Sequence, residues 1–425
     1  MSLSILYLHQ HYSAPAGAVP QRSHAMAQAL AARGHAVTVA CGRYEGAATG
    51  LGGAYRDGAR EGRVGRHRVV EFDIPYGNAM PLARRTVAFL RFARRAAGLA
   101  ASGRFDLVVA SSTPLTVALP ALAARMRRGT PFLFEIRDPW PELPRALGGV
   151  PRPVLAAMNR LADAACRRAA RIVALSDGMA ETALERGADP ARVHVVPNGC
   201  DLGTFGPHVG PWRPPPAMPW ECLAIYAGTH GRANGLHTLL DAAALLRARG
   251  ERRLRILLVG DGAQKPALLA RAAAEGLGNV TFLDPLPRPM LGALLSGGQV
   301  ALHLLADQPA FAEWISPNKL MDGLAAGRPV VTNQPGRAAR IVQDGPSGIA
   351  VPPGDAAALA DALQRLAADP ALRVRMGEAA RRQAVALWDQ RLLAERFCDV
   401  AERAAADAAP RRSAVPSGGQ GARAR

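Results

Sequence analysis

The sequence predicts an α/β protein built from two doubly wound domains, on three observations. Its 425 residues exceed what one core usually holds and suit two domains of roughly 150 to 200 residues. Short runs that are apolar throughout alternate with Ala/Leu/Arg-rich helical stretches, the pattern of parallel strands covered on both faces. That alternation is interrupted once, by the proline- and glycine-dense FGPHVGPWRPPPAMPWE between Phe205 and Glu221, and then restarts.

In the first half the elements run SILYLH, SHAMAQALAARG, AVTVACG, DLVVASS, PFLFEI, ARIVALS and RVHVVPNG. In the second they run CLAIYAG, LHTLLDAAALLRARG, LRILLVGDG, KPALLARAAAEGL, VTFLD, VALHLL, KLMDGLAAG and PVVTN. The expected division is a first domain over 1–205, a linker over 206–220, a second domain over 221–385 and a helix over 386–408 that packs back on the first domain. The polar segment 409–425 cannot bury enough apolar area to order itself and is expected to be disordered.

Hydrophobic residues make up 49% of the chain, enough for two cores. Cys41, Cys166, Cys200, Cys222 and Cys398 are odd in number and widely spaced, without a CxxC, so neither a disulfide framework nor a zinc site is expected. No basic region precedes the first apolar run, and no run reaches the roughly 18–20 residues that span a bilayer. The expected location is cytoplasmic, with a peripheral place on the inner membrane face open. The formal charge is +18, with arginines clustered at 84–95, 125–128, 167–171 and in the tail, which favours acidic partners: nucleic acid, anionic lipid or phosphorylated substrates.

Ligands of parallel sheets sit beyond the carboxyl ends of the strands, where glycines let backbone approach and helix N-termini favour anions. The informative residues are therefore His9 to Arg22, Ser111 to Thr113 and Arg137 to Glu142, then Gly228 to Gly235, Gly260 to Lys265 and the turn before Lys319. EIRDPWPE is the sharpest signal in the first half, because Arg137 and Asp138 follow an apolar strand directly.

Six segments in order, RSHAMAQALAARGHAVTV, FEIRDPWPE, VVPNGCDLGTF, YAGTHGRANGLHTLLDAAALL, LVGDG and SPNKLMDGLAAGRPVV, resemble the landmarks of glycosyltransferase family 4, from about Ile5 to Phe397. The likeness is nearest to its bacterial polysaccharide and O-antigen branch, which includes amino-deoxy-sugar transferases such as those for N-acetyl-fucosamine. It implies a GT-B fold, two Rossmann-like domains facing a cleft, that moves sugar from a nucleotide-diphosphate sugar, UDP favoured over GDP, to a saccharide or polyprenyl-diphosphate-linked acceptor. Such enzymes are typically retaining and metal-independent, so neither metal nor cofactor is expected, and the nucleotide-sugar is substrate.

The resemblance carries over residue by residue. Gly17 matches a position whose amide approaches the donor diphosphate, and Arg22 a phosphate-facing arginine; the alternatives are an ordinary turn and a surface arginine. Many relatives have His where Arg137 stands; Asp138 would orient the acceptor or take its proton, and Arg137 would stabilise phosphate or fix Asp138, against an internal salt bridge for both. Gly228, Thr229, His230 and Gly231 form the phosphate turn, but relatives carry Arg and Lys where Thr229 and Asn234 stand, leaving Arg232 and Lys265 as the available cations. Gly260, Asp261 and Gly262 admit the nucleotide, and Asp322 stands at the second carboxylate of a paired-glutamate motif that binds ribose. The first falls on Trp314, with Glu313 one position off, so Ser316, Asn318 and Lys319 are the candidates for sugar or phosphate, against a helix cap and a surface lysine. His9 and His11 are read as structural first.

Residues 84–101 place Phe89, Leu90 and Phe92 among Arg91, Arg94 and Arg95, an amphipathic helix that suits either an anionic membrane surface or packing on the sheet with solvated arginines. A UDP-sugar epimerase of the same fold is the alternative enzyme. A nucleic-acid-binding protein has only the net charge in its favour, so no nucleic-acid partner is expected.

Overall fold

The computed structural model describes residues 2–17, 21–77, 80–309 and 311–407. The segment 409–425, expected to be disordered, lies outside the described residues. In chain order the elements are β1 (Ser4–Leu8), α1 (Arg22–Ala32), β2 (Ala36–Tyr44), β3 (Ala59–Val64), β4 (His67–Tyr76), α2 (Leu82–Ser102), β5 (Leu107–Ser111), α3 (Ala118–Arg128), β6 (Phe132–Ile136), α4 (Glu142–Leu147), α5 (Arg152–Arg168), β7 (Arg171–Ala174), α6 (Asp177–Glu185) and β8 (Val193–Val195). There follow β9 (Cys222–Ala227), α7 (Leu236–Ala248), β10 (Leu254–Val259), α8 (Lys265–Ala274), β11 (Val280–Leu283), α9 (Arg288–Gly297), β12 (Val300–His303), α10 (Phe311–Trp314), α11 (Asn318–Ala325), β13 (Val330–Thr332), α12 (Arg337–Asp344), β14 (Gly348–Ala350), α13 (Ala356–Ala368), α14 (Pro370–Leu387) and α15 (Gln390–Ala406).

The strands form two sheets, ordered β3-β4-β2-β1-β5-β6-β7-β8 and β11-β10-β9-β12-β13-β14. The second is wholly parallel, with its first strand central and flanked by the second and the fourth, the doubly wound order. Its switch point lies between β9 and β12; that of the first sheet lies between β1 and β5. Every residue of β5 and β6 is buried, as strands covered on both faces require.

The first sheet corrects the wholly parallel expectation, because β3 and β4 form an antiparallel hairpin at its edge. The edge strand β3, AREGRV, alternates with solvent, and β4, HRVVEFDIPY, carries Arg68, Glu71 and Asp73 among its apolar residues, so they lack the continuous apolar run by which the other strands are legible.

The C-terminal helices start at aspartates whose side chains accept first-turn amides: Asp355 from Ala358, Asp369 from Leu372 and Asp389 from Arg391. Through α15 the chain returns to the first sheet, where Leu393, Phe397 and Cys398 join Tyr7, Met26 and Leu30 in one core. Arg33 bridges Glu395 and Asp399 at its rim.

The chain crosses between the sheets twice, and the two crossings lie side by side. Cys200 donates its amide to the Trp388 carbonyl at 2.7 Å, and Gln390 donates to Cys200 at 3.0 Å. A Cβ on Gly199 would stand 2.8 Å from the Trp388 carbonyl oxygen and 2.9 Å from the Gln390 Cα, so only glycine fits between the crossings. The five cysteines are free and buried. Among the described residues no helix is long and apolar enough to cross a membrane.

Candidate active site

The carboxyl ends of β1, β5 and β6 face the start of α11 across a cleft, and the groups there form a cavity of about 230 Å³. Its lining includes His9, Thr113, Arg137 and Asp138 from the first sheet and Ser316 and Asn318 from the second. Residues far apart in sequence meet because each follows a strand or opens a helix.

On the first-sheet side the groups are held in defined orientations. The Thr113 hydroxyl donates to Asp138 Oδ2 at 2.6 Å. His9 Nδ1 lies 3.2 Å from the Ser111 carbonyl and its Nε2 lies 2.6 Å from Arg137 Nη1. A ring nitrogen facing a carbonyl must donate and one facing a guanidinium must accept, which assigns the neutral Nδ1–H tautomer. Burial, then the charges of Arg137 and His11, hold the His9 pKa well below its ordinary value. His11 stacks against both Tyr44 and Tyr76 at 4.6 and 4.5 Å, and burial with Arg137 and Arg85 lowers its pKa to about 3. Among the described residues neither Arg137 nor Asp138 makes an ion pair, so the internal salt bridge is not formed.

Beneath them Glu135, fully buried in β6, accepts from Arg22 Nε at 2.9 Å, from Tyr7 at 3.1 Å and from the Ser111 hydroxyl. Arg22 donates its remaining groups to Pro197 at 2.6 Å and Val196 at 2.8 Å. This corrects the phosphate-facing reading of Arg22: it is a buried strut tying β6 to the segment that leads out of the first sheet. Gly17 is likewise buried, its amide donating to Ala14 at 3.0 Å instead of facing the cleft.

On the second-sheet side the Gly228 and Gly260 loops touch. A Cβ on Gly260, whose φ is +141°, would lie 2.0 Å from the Gly228 carbonyl oxygen, so the close approach demands glycine. His230 is fully buried between Tyr226 and Phe282, and burial, then Lys265, lowers its pKa to about 4. Its ring therefore does not reach the cleft; its backbone, which donates to Asp261 and accepts from Gln264, joins the two loops. Gly262 packs against that same backbone, and Thr229 is exposed at the loop tip. Lys265 is also corrected: its ammonium donates to Asp284 at 2.7 Å and to the Gly260 carbonyl at 2.9 Å, so its charge is matched within the protein. Arg232, beyond Gly231, is exposed, and its side chain makes no ion pair or hydrogen bond among the described residues.

Lys319 has the most telling position. Its ammonium packs 5.2 Å above the Tyr226 ring, donates, among the described residues, to the Asn234 side-chain oxygen at 3.2 Å, and lies against Gly228. Burial, partly offset by Asp322, lowers its pKa to about 8. A half-buried ammonium without a bonded carboxylate is costly unless an anion arrives. No side chain caps the first turn of α11, so its amides add positive potential at the same place.

Asp322 faces a narrow crevice with Arg22, Asn198, Asp201, Arg288 and Asn318. Arg288 donates to it at 3.1 Å, while burial raises its pKa. Asn318 lines both this crevice and the larger cavity and so joins them. The cleft is closed by Asn198, which donates its amide and side chain to Ser316 at 3.2 and 3.0 Å, and by the 2.6 Å Arg337–Asp177 pair. Glu313 is turned away into a bidentate pair with Arg340.

Glu135, Asn198 and Arg288 escaped the sequence reading. Glu135 left one signal, an acid inside the otherwise apolar FLFEI. Asn198 sits in an irregular segment without periodicity, and Arg288 opens α9, where a surface arginine carries no signal of its own.

Comparison with known proteins bears on this geometry. Residues 17–199 match the glycosyl transferase 4-like domain and residues 221–369 match the glycosyl transferases group 1. A D-inositol 3-phosphate glycosyltransferase of Pseudarthrobacter chlorophenolicus is 34% identical over 228 residues, 52% of each chain. The chain thus spans about half the length of the curated relatives it matches first. Sucrose-phosphate synthase from Thermosynechococcus elongatus superposes with a TM-score of 0.75 at 19% identity, covering 95% of this chain and 100% of that one. HepE from Anabaena, solved in complex with UDP, gives 0.64 at 17% identity, covering 93% and 99%. At these identities the likeness is one of fold: the two facing sheets are the GT-B arrangement.

Proposed function

We propose that this chain, assembled from two glycosyltransferase domains, transfers a hexose from a nucleoside-diphosphate sugar to an acceptor hydroxyl held in the cavity between its two sheets. The observation that carries the reading is that cavity itself, where Arg137 and Asp138 meet Ser316 and Asn318. Lys319, the α11 amides and Arg232 hold the donor diphosphate in place of a metal ion, and Asp322 holds the ribose. Asp138, fixed by Thr113, orients the acceptor hydroxyl, while His9 holds Arg137 beside the developing phosphate charge. Retention of the anomeric configuration belongs to this reading. The HepE structure, which shares the fold and holds UDP, favours UDP as the nucleotide, and the basic helix α2 favours a place in cell-surface polysaccharide or O-antigen assembly at the inner membrane face.

Two results are expected. UDP, with or without EDTA, should raise the thermal midpoint by about 3 °C or more at saturation, and GDP less. Absence of any shift with UDP, GDP, dTDP and ADP sinks the reading. Asp138→Asn should lower turnover roughly 100-fold with UDP affinity unchanged, since a positioned acid–base group contributes about 10²- to 10⁴-fold. Unchanged turnover would remove Asp138 from the mechanism.

A further inference from the structure

The short helix α10 lies on the first turn of α6, bringing the second domain against the first beside the acceptor cavity. The fit depends on a glycine. Apart from its own helix, a Cβ on Gly178 would meet Glu313 first, at 2.7 Å from the Glu313 Cβ and 3.0 Å from its carbonyl oxygen. The Gly178 backbone is ordinary helix without a positive φ, and alanine is the better helix former there. The neighbouring domain, not the turn, is therefore what demands glycine. Two residues earlier, the buried Ser176 hydroxyl accepts from the Met179 amide at 3.3 Å and donates to the Glu313 carbonyl at 2.7 Å. One group thus caps α6 and grips α10.

On its other side α10 is fixed to its own domain. Gln334, buried after β13, donates to the Phe311 carbonyl at 2.7 Å. Arg340 holds the Glu313 carboxylate at 3.0 and 2.8 Å, and Gly336, with a φ of +68°, makes room for it, since a Cβ there would overlap Glu313 Oε1. The helix is therefore a tongue that moves with the second domain. Ile315 and Ser316, which follow it directly, line the cavity opposite Asp138. The Arg337–Asp177 pair stands at the same contact, joining the start of α12 to the start of α6.

We infer that the first turn of α6 is the seat that sets the width of the cleft: Gly178 is the notch, Ser176 the hydrogen bond that holds, and Glu313 the point of the tongue that docks. All three are positioning residues. They act through Ile315 and Ser316 on the distance between the donor side and Asp138, and none of them touches the reacting groups. The effect on turnover rests on the transferase reading, whereas the closure itself is measurable without substrate.

Solution X-ray scattering of the full chain tests the seat with two variants. Gly178→Ala puts a methyl group in the notch while favouring α6, and Asp177→Lys sets a like charge against Arg337 from an exposed position. Both are expected to enlarge the radius of gyration and to keep the UDP affinity of the wild type, because the tongue travels with an intact second domain. With UDP-glucose as donor, kcat should fall roughly tenfold or more at unchanged KM, since a misplacement of about 1 Å can cost up to about 10²-fold. Gly98→Ala, at a helical glycine of α2 with open space around it, is the control and should change none of these. An unchanged radius of gyration in both variants overturns the seat, as does an equal enlargement in the control. Enlargement with kcat and KM both intact overturns the positioning role. Failure of UDP to bind the wild type would instead count against the transferase reading and leave the scattering result standing.

Discussion

Lys319→Met is expected to weaken UDP binding roughly 10- to 100-fold, the worth of a hydrogen bond to a charged group in a desolvated site. The same substitution is expected to raise the stability of the free protein. Both effects come from one circumstance: the ammonium is half-buried over Tyr226 with Asn234 as its bonded partner, and desolvation there draws its pKa down to about 8. Methionine fills a similar volume without that cost. The pH dependence follows. Only the protonated amine attracts a diphosphate, so UDP affinity should be full near pH 7 and fall about tenfold per unit above pH 8. The folded pKa lies below the ordinary value of 10.5, so the unfolded chain binds more protons between the two. The free protein should therefore gain stability as pH rises from about 8 to 10.5. Calorimetric titration with UDP at neutral and alkaline pH checks the first trend, and denaturant midpoints check the second. UDP affinity that is equal in wild type and Lys319→Met, or flat through pH 9, removes the lysine from the donor site.

How much of this was legible in the sequence depends on whether a residue acts through its position or through its partner. Apart from β14 and the β3–β4 hairpin, the strands of both doubly wound halves were legible because each is a mostly apolar run, and the places where site residues gather follow from strand order alone. That is why Arg137, Asp138, Ser316 and Asn318, all beyond strand ends or at a helix start, fall in one cavity. The β3–β4 hairpin was not legible, because an edge hairpin with a solvated face has no such run. Lys265 and Arg22 lie in the expected loops, yet Asp284 and Glu135 take their charge. Nothing local in the sequence distinguishes them from Lys319, whose charge has no such bonded partner. A cation's role is set by the distance to an acid that may lie a hundred residues away, as Glu135 does from Arg22. His230 fails for a related reason: the sequence shows a histidine in a phosphate loop, while Gly260 draws the loop inward and buries its ring.

Glu135→Ala is expected to be the most destabilising single change in the first domain, costing about 3–5 kcal/mol, because it strips a buried guanidinium of its counter-charge. Arg22 and Glu135 are both fully enclosed and 2.9 Å apart, and Tyr7 and the Ser111 hydroxyl lose their acceptor in the same step. Burial alone would raise the Glu135 pKa, but Arg22, Arg137 and the Ser111 hydroxyl bring it below the ordinary glutamate value. A depressed carboxylate contributes stability that is complete above its unfolded pKa and is lost as pH falls through the folded one, so the wild-type contribution should fade below about pH 4.5. The double variant Glu135→Ala with Arg22→Met should recover part of the loss, since the cost lies in the orphaned charge and not in the missing attraction. Denaturant midpoints of the three variants decide this: a double variant as unstable as the sum of its parts would mean that the two residues act separately. The consequence extends to the cleft. Arg22 also holds the Val196 and Pro197 carbonyls, and the next residue, Asn198, fastens the two sheets together at Ser316. Loss of the strut should therefore loosen the closed cleft before the first sheet unfolds, and Glu135→Ala should show a weakened acceptor response at temperatures where its secondary structure is intact.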